Sequence, residues 1–160
     1  MDTEILAEIW PSVWRRWLAV AMIAALGLVL IWTGINAAGL GAVLLVVAGG
    51  GVLVLSDWLR RSTQFSVQLT REEVRESSGR VLCRIEDIAA VDRSAFAFKP
   101  SNGMLIRLKD KTTRAWAPGL WWRHGRVVGI GGVTPAPQAK VMGDILTLYL
   151  KDLKERADQA

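Results

Sequence analysis

Residues 18–55 read LAVAMIAALGLVLIWTGINAAGLGAVLLVVAGGGVLVL, thirty-eight positions without one Asp, Glu, Lys, Arg or His. An apolar run of eighteen or more residues suffices for a transmembrane helix, and this one is about twice that length. Asn36-Ala37-Ala38-Gly39 breaks it near the middle. The stretch therefore predicts a hairpin of two helices, from Trp14 to Ile35 and from Leu40 to Trp58, each of roughly 20 residues and so about 30 Å long. Ala21, Ala24, Ala25 and Gly27 on the first helix, and Gly41, Ala48 and Gly49 to Gly51 on the second, permit close backbone approach, either within the hairpin or toward a larger membrane complex.

Outward from this hairpin, Trp14, Arg15, Arg16 and Trp17 lead into the first helix, and Trp58, Arg60 and Arg61 close the second. Aromatic and basic residues at the ends of an apolar span are membrane-interface anchors. The connecting loop carries no charge, so the positive-inside rule puts both termini and the domain that follows in the cytoplasm. A cleaved signal peptide, processed near Ala37 to Gly39, is the alternative; the acids ahead of Arg15 and the immediate second apolar run speak against it.

Three units follow. In residues 1–13, Ile5, Leu6, Ile9 and Trp10 fall on one helical face, with Asp2, Glu4 and Glu8 elsewhere and Pro11 next, the pattern of a short interfacial helix. Residues 14–61 are the hairpin. Residues 62–160 are about a hundred in number, enough for one small domain with its own core.

From Ser62 onward sixteen Lys or Arg stand against eleven Asp or Glu, which places the whole formal excess of five in this domain. Positive charge beside a bilayer favours anionic headgroups. The basic residues are interleaved with acids rather than massed in one block, which argues for membrane proximity and against nucleic acid. Cys83 is the only cysteine and His124 the only histidine, so neither a disulfide nor a Cys/His zinc site is expected, and no cofactor or metal is implied.

Past Arg61 the apolar period changes from helical to alternating. Phe65, Val67 and Leu69 alternate with Ser66, Gln68 and Thr70; a second strand runs through Val74 to the turn Ser77-Ser78-Gly79; Val81, Cys83 and Ile85 alternate again. Then come a short Ile88 to Val91 segment, a loop with Lys99-Pro100-Ser101-Asn102-Gly103, and a strand from Met104 to Lys109. Asp110-Lys111 is expected to turn the chain into Thr112 to Trp116, and a last strand to cover Arg126 to Ile130. Thr134 as cap and Pro135 in the first turn begin a helix whose Met142, Ile145, Leu146, Tyr149, Leu150 and Leu153 share one face. The expected fold class is a membrane α-hairpin plus an α+β domain, a six- or seven-stranded antiparallel barrel or sandwich closed by this helix. An oligonucleotide-binding barrel is the runner-up.

Catalysis finds few parts. His124 lies between Arg123 and Gly125-Arg126 with no acid to orient it. The adjacent acids Glu72-Glu73 and Glu86-Asp87 point to opposite faces of a strand and cannot flank one bond. Gly129, Gly131 and Gly132 precede a helix, but no strand with an acid follows as a dinucleotide site requires. The most unusual stretch is Trp116-Ala117-Pro118-Gly119-Leu120-Trp121-Trp122-Arg123-His124-Gly125-Arg126. Trp and Arg are enriched at binding hot spots and bilayer interfaces. Trp121, Trp122, Arg123 and Arg126 are accordingly the candidate contact surface toward lipid headgroups or a partner subunit. The other reading is that Trp116 and one of the adjacent pair complete a small core.

The two-helix hairpin, the strands with Leu69-Thr70 and Ser78-Gly79, the Ile85-Glu86-Asp87-Ile88-Ala89-Ala90-Val91 segment and the single closing helix together resemble the bacterial pleckstrin-homology-like membrane proteins, over nearly the whole chain. The resemblance implies a pleckstrin-homology-like fold and a non-enzymatic cytoplasmic module held at the inner membrane. Eukaryotic relatives of that fold bind phosphoinositides near the first strand turn. Here that turn is Thr70-Arg71-Glu72-Glu73, whose acids are poorly suited to such a ligand. The expected function is an accessory or scaffold component of a membrane complex, with a membrane-protein partner or homo-oligomer; a lipid-headgroup binder is the alternative.

Overall fold

The computed structural model describes residues 4–92 and 103–159. Strand β1 (Ile5–Ile9) precedes helices α1 (Val13–Ile35) and α2 (Gly39–Ser62). Strands β2 (Val67–Thr70), β3 (Glu73–Glu76), β4 (Val81–Arg84), β5 (Ile88–Asp92), β6 (Met104–Ala117) and β7 (Trp121–Ile130) follow, then helix α3 (Ala136–Asp158). Residues Lys99 to Asn102 of the expected loop lie outside the described residues.

Helices α1 and α2, of 23 and 24 residues, are each long and apolar enough to cross a membrane. They do not fill the core of a globular domain. Trp32, Leu40 and Val54 are 71%, 75% and 70% exposed, and only the inner seam is covered. The seam is built on glycine: a Cβ at Gly27 lies 2.8 Å from Leu53 Cδ2, one at Gly34 2.8 Å from Val46 Cγ2, and one at Gly49 2.6 Å from Ile31 Cγ1. Ser56 donates across it to Val20 O at 3.0 Å. Asn36 closes α1 by donating to Trp32 O twice, from its backbone N–H at 3.3 Å and from its side-chain amide at 2.8 Å. Gly41, Gly50 and Gly51 face open space. Gly49→Ile is therefore expected to splay the hairpin and cost about 1–3 kcal/mol by overpacking. Gly51→Ile leaves it intact, and the two variants separate in thermal melts and limited proteolysis in detergent.

Residues 4–10 do not form the expected interfacial helix. Ile5–Ile9 is an edge strand, paired antiparallel with β2 through Ile5↔Thr70, Ala7↔Leu69, Glu8↔Gln68 and Ile9↔Val67. So short a helix is marginal in isolation. As a strand it buries Ile9 completely and gives Glu8 two donors, Ser66 Oγ at 2.6 Å and Gln68 Nε2 at 2.9 Å. Burial alone would raise the Glu8 pKa, but hydrogen bonds from Ser66, Gln68 and the Trp10 side chain together hold it below the usual carboxylate range. Its support for β1–β2 pairing is present at neutral pH and is lost as pH falls through that lowered value. The hairpin is thus inserted between two neighbouring strands of one sheet, and its two ends emerge side by side.

Two antiparallel sheets result, β1-β2-β3-β4 and β5-β6-β7, and they do not close into a barrel. Between them lies one core, with Ile9, Leu69, Val74, Leu82, Ile106, Leu120, Trp121 and Ile130 essentially inaccessible. Full burial of each such side chain contributes about 1.5–3 kcal/mol. Helix α3 closes the core through Ala139, Met142 and Leu146 and packs chiefly on β1.

Two further expectations change. Asp110-Lys111 does not reverse the chain: β6 continues to Ala117, because β7 pairs with both of its halves. The ladder slips there instead. Five steps from Arg107 to Thr112 match two from Val127 to Gly125, a pronounced bulge that bends the ribbon. The reversal falls at Pro118-Gly119-Leu120, where Gly119 takes a φ of +74°, and β7 begins at Trp121 rather than at Arg126. Thr134 does not cap α3; Pro135 holds that position, and the Thr134 hydroxyl is buried without a hydrogen bond.

Candidate functional site

The feet of α1 and α2 are docked on the β domain rather than hung from it. Ser12 N donates to Val133 O at 2.9 Å, Arg15 Nη1 to Thr134 O at 3.2 Å and Arg16 Nη1 to Thr63 O at 3.3 Å. Ser62 Oγ donates to Pro118 O at 2.6 Å, and Gly119 lies so close that a Cβ would meet Leu59 Cδ1 at 2.5 Å. Arg15 and Arg16, read from the sequence as interface anchors, thus also tie helix to domain. Arg60 and Arg61 both pair with Asp57, each at 2.7 Å, which offsets part of their charge. The indoles of Trp14, Trp17 and Trp58 stay exposed around this foot, together with Trp10 from the end of β1.

The tip of the β6–β7 hairpin adds another. Trp116 is 47% exposed and meets Trp58 edge to face, with centroids 5.0 Å apart at 69°. Trp116 stands directly opposite Trp122, and Ala117 opposite Trp121. Cross-strand partners share a face and successive residues alternate, so Trp116 and Trp122 lie outward while Ala117 and Trp121 point into the core. Trp121 is 1% exposed, which corrects its assignment to the contact surface.

Trp122 is half-buried, and its ring lies where a Cβ on Gly129 would be, across the bend of β7. Arg123 is half-buried too and is committed to the fold. Its Nε donates to Thr113 O at 2.9 Å, Nη2 to Thr113 Oγ1 at 3.1 Å, and Nη1 to Val81 O at 3.3 Å and Leu82 O at 2.9 Å. It fastens β4 of one sheet to β6 of the other, so replacing it disturbs the fold as well as any surface. Arg126 is exposed further along β7.

These side chains frame a groove of about 310 Å³ lined by Arg114, Ala115, Trp116, Trp122, Arg123 and His124, without an acid. Arg114 and His124 are exposed on its walls. Arg114 was missed in the sequence, although the alternation of Arg114 and Trp116 with Ala115 and Ala117 marks both large residues as outward. Two of the glycines within 129–132 serve packing: Gly129 receives Trp122, and Gly132 sits against the backbone of Gly119.

A second cleft, of about 480 Å³, lies between the β2–β3 turn, β4 and α3. Its charges are paired locally. Arg71 meets Glu4 at 2.6 Å, Arg84 meets Glu86 at 3.3 Å, and Glu72 and Glu73 add negative charge. Burial pushes the Cys83 thiol up to about 12, so that it stays protonated and is a packing residue rather than a nucleophile. Among the described residues no group of three or more His, Cys, Asp or Glu gathers as metal ligands. No protein-family model matches the chain, and no curated protein or solved structure matches it.

Proposed function

We propose that the chain is a non-enzymatic, multi-pass protein of the bacterial inner membrane, an accessory or scaffold component that presents a pleckstrin-homology-like domain on the cytoplasmic face. One observation carries this reading: β1 and β2, on either side of the hairpin, pair in a single sheet. A domain tethered by a linker samples many orientations, whereas this one is fixed to its helices by the ladder and by Arg15, Arg16 and Ser62. Such rigidity suits a module that holds a surface at a set height and angle above the bilayer. The division of seven strands into four and three with one closing helix supports the pleckstrin-homology-like assignment. The basic feet and the uncharged Asn36-Ala37-Ala38 loop support a cytoplasmic domain.

Tag accessibility in sealed cells tests the topology: a tag after Ala160 is expected to be reached only after permeabilisation. A tag reached from the periplasm in intact cells overturns it. Gentle detergent extraction is expected to recover the chain with a second membrane protein or as a defined oligomer, and recovery as a lone monomer counts against the scaffold role.

A further inference from the structure

We infer that the groove between Trp116 and Trp122 seats the phosphate-bearing headgroup of an anionic lipid from the same bilayer that α1 and α2 cross. The inference deepens the membrane-module reading above and rests on it. Depth is the first support. Trp58 lies four residues before the end of α2, within the apolar helix, and Trp116 packs directly on it. A β-domain residue in contact with an interfacial indole of a spanning helix is itself at headgroup level, where Trp is the residue of choice. The groove therefore opens where lipid headgroups lie.

Charge is the second support. Between Met104 and Ile130 stand six Lys or Arg and a single acid, Asp110, so that the β6–β7 ribbon alone carries an excess equal to that of the whole chain. In the sequence these residues look interleaved with acids; in the fold the acids lie mainly elsewhere, on the first sheet, the turns and α3. The groove walls hold Arg114, Arg123 and His124 and no carboxylate.

The division of labour follows from hydrogen-bond capacity. Arg123 uses most of its N–H groups on Thr113, Val81 and Leu82, so it supplies a fixed positive field. Arg114 is exposed, lines the same groove and offers the planar fork that matches a phosphodiester. The faces of Trp116 and Trp122 accept the glycerol and upper acyl carbons. A volume of about 310 Å³ fits one headgroup and not a whole lipid. The occupant suits this place better than a protein loop does, because a lipid is already present at that depth and its recruitment costs nothing.

The test uses the full-length chain, purified in mild detergent, mixed with equimolar phosphatidylglycerol and phosphatidylcholine, and examined by native mass spectrometry for retained lipid. Wild type is expected to retain phosphatidylglycerol at least fivefold over phosphatidylcholine, roughly the selectivity that one charge-assisted contact provides. Arg114→Gln and Trp116→Ala are each expected to bring the ratio close to one. Lys140→Gln, on the exposed side of α3, keeps it, which separates a groove from general charge. Both groove positions are exposed, so melting temperatures should stay near wild type; should Trp116→Ala unfold, Arg114→Gln alone decides. Wild-type selectivity in Arg114→Gln overturns the inference, as does a stoichiometric protein in place of lipid that is lost in that variant. Extraction of wild type from membranes by alkaline carbonate removes the membrane reading itself, whereas a chain that resists extraction but shows no lipid preference removes only the headgroup site.

Discussion

Residues 64–160 expressed alone are expected to aggregate, while the same residues preceded by 4–10 through a short glycine-serine linker are expected to give a folded domain. The contrast follows from β1. Its loss removes Ile9, completely buried, together with the partly buried Leu6 and Ala7 that pack on the same core. Truncating one buried Ile to Ala costs about 2–5 kcal/mol, and a small domain holds only about 5–15 kcal/mol in total. The deletion also bares the edge of β2, whose unpaired amides and carbonyls then template association between chains. The hairpin itself is dispensable to this core, since Ile9 and Val67 are register partners and a short connection can rejoin them. Size-exclusion chromatography and circular-dichroism melts of the two products decide the matter. A monomeric, cooperatively melting 64–160 fragment would show that β1 is an addition to the domain rather than part of it.

Trp121→Ala is expected to lower stability by about 3–5 kcal/mol, whereas Trp116→Ala, five positions earlier on the other side of the turn, is expected to cost less than about 1.5 kcal/mol. Trp121 fills the centre of the core beneath the β3–β4 turn, with Arg80 above its ring at 5.6 Å. Glu76 is nearly buried and meets Arg80 at 3.9 Å, an ion pair too long for a hydrogen bond. A cavity at Trp121 would admit water to this carboxylate and loosen the turn. In a domain of this size each 1 kcal/mol moves the melting temperature by about 4–8 °C, so Trp121→Ala should melt more than about 10 °C below wild type. The indole nitrogen of Trp121 makes no hydrogen bond, so Trp121→Phe should restore most of the loss. Equal destabilisation by Trp121→Ala and Trp116→Ala, measured by thermal or urea unfolding, would contradict the assignment of one to the core and the other to the surface.

How far the chain could be read without coordinates depends on the range of the forces that decide each element. Helices α1 and α2 were legible, within one residue at three of their four ends and four residues short at Ser62, because a long charge-free run must satisfy its backbone internally, and a helix does so with neighbours four positions away. The alternation in Val67 to Leu69 and the three- and four-residue steps of α3 were legible for the same local reason; in β4 the alternation located the strand but not its faces, since Leu82 is completely buried beside Cys83 while Val81 is exposed. β1 was not. The five residues Ile5–Ile9, whose apolar positions suit either period, become a strand only by contact with Ser66 and Gln68, 58 and 60 residues from Glu8.

The candidate surface divides in the same way. That a segment with three Trp and two Arg matters could be seen from composition, and so could the opposite orientation of Trp121 and Trp122. Which of them faces the core could not, since the choice depends on the register with Trp116 and Ala117 and on the bulge that lets β6 run on past Asp110. Nor could the fate of Arg123, whose acceptors at Val81 and Leu82 lie more than forty residues earlier in the other sheet. By itself the sequence determined the elements whose hydrogen bonds and apolar periods close within a few residues. Only the tertiary structure decided the N-terminal strand, the long bent ribbon and which side chains around it stay exposed, because those are settled by groups far apart in the chain that meet only once the two sheets have packed.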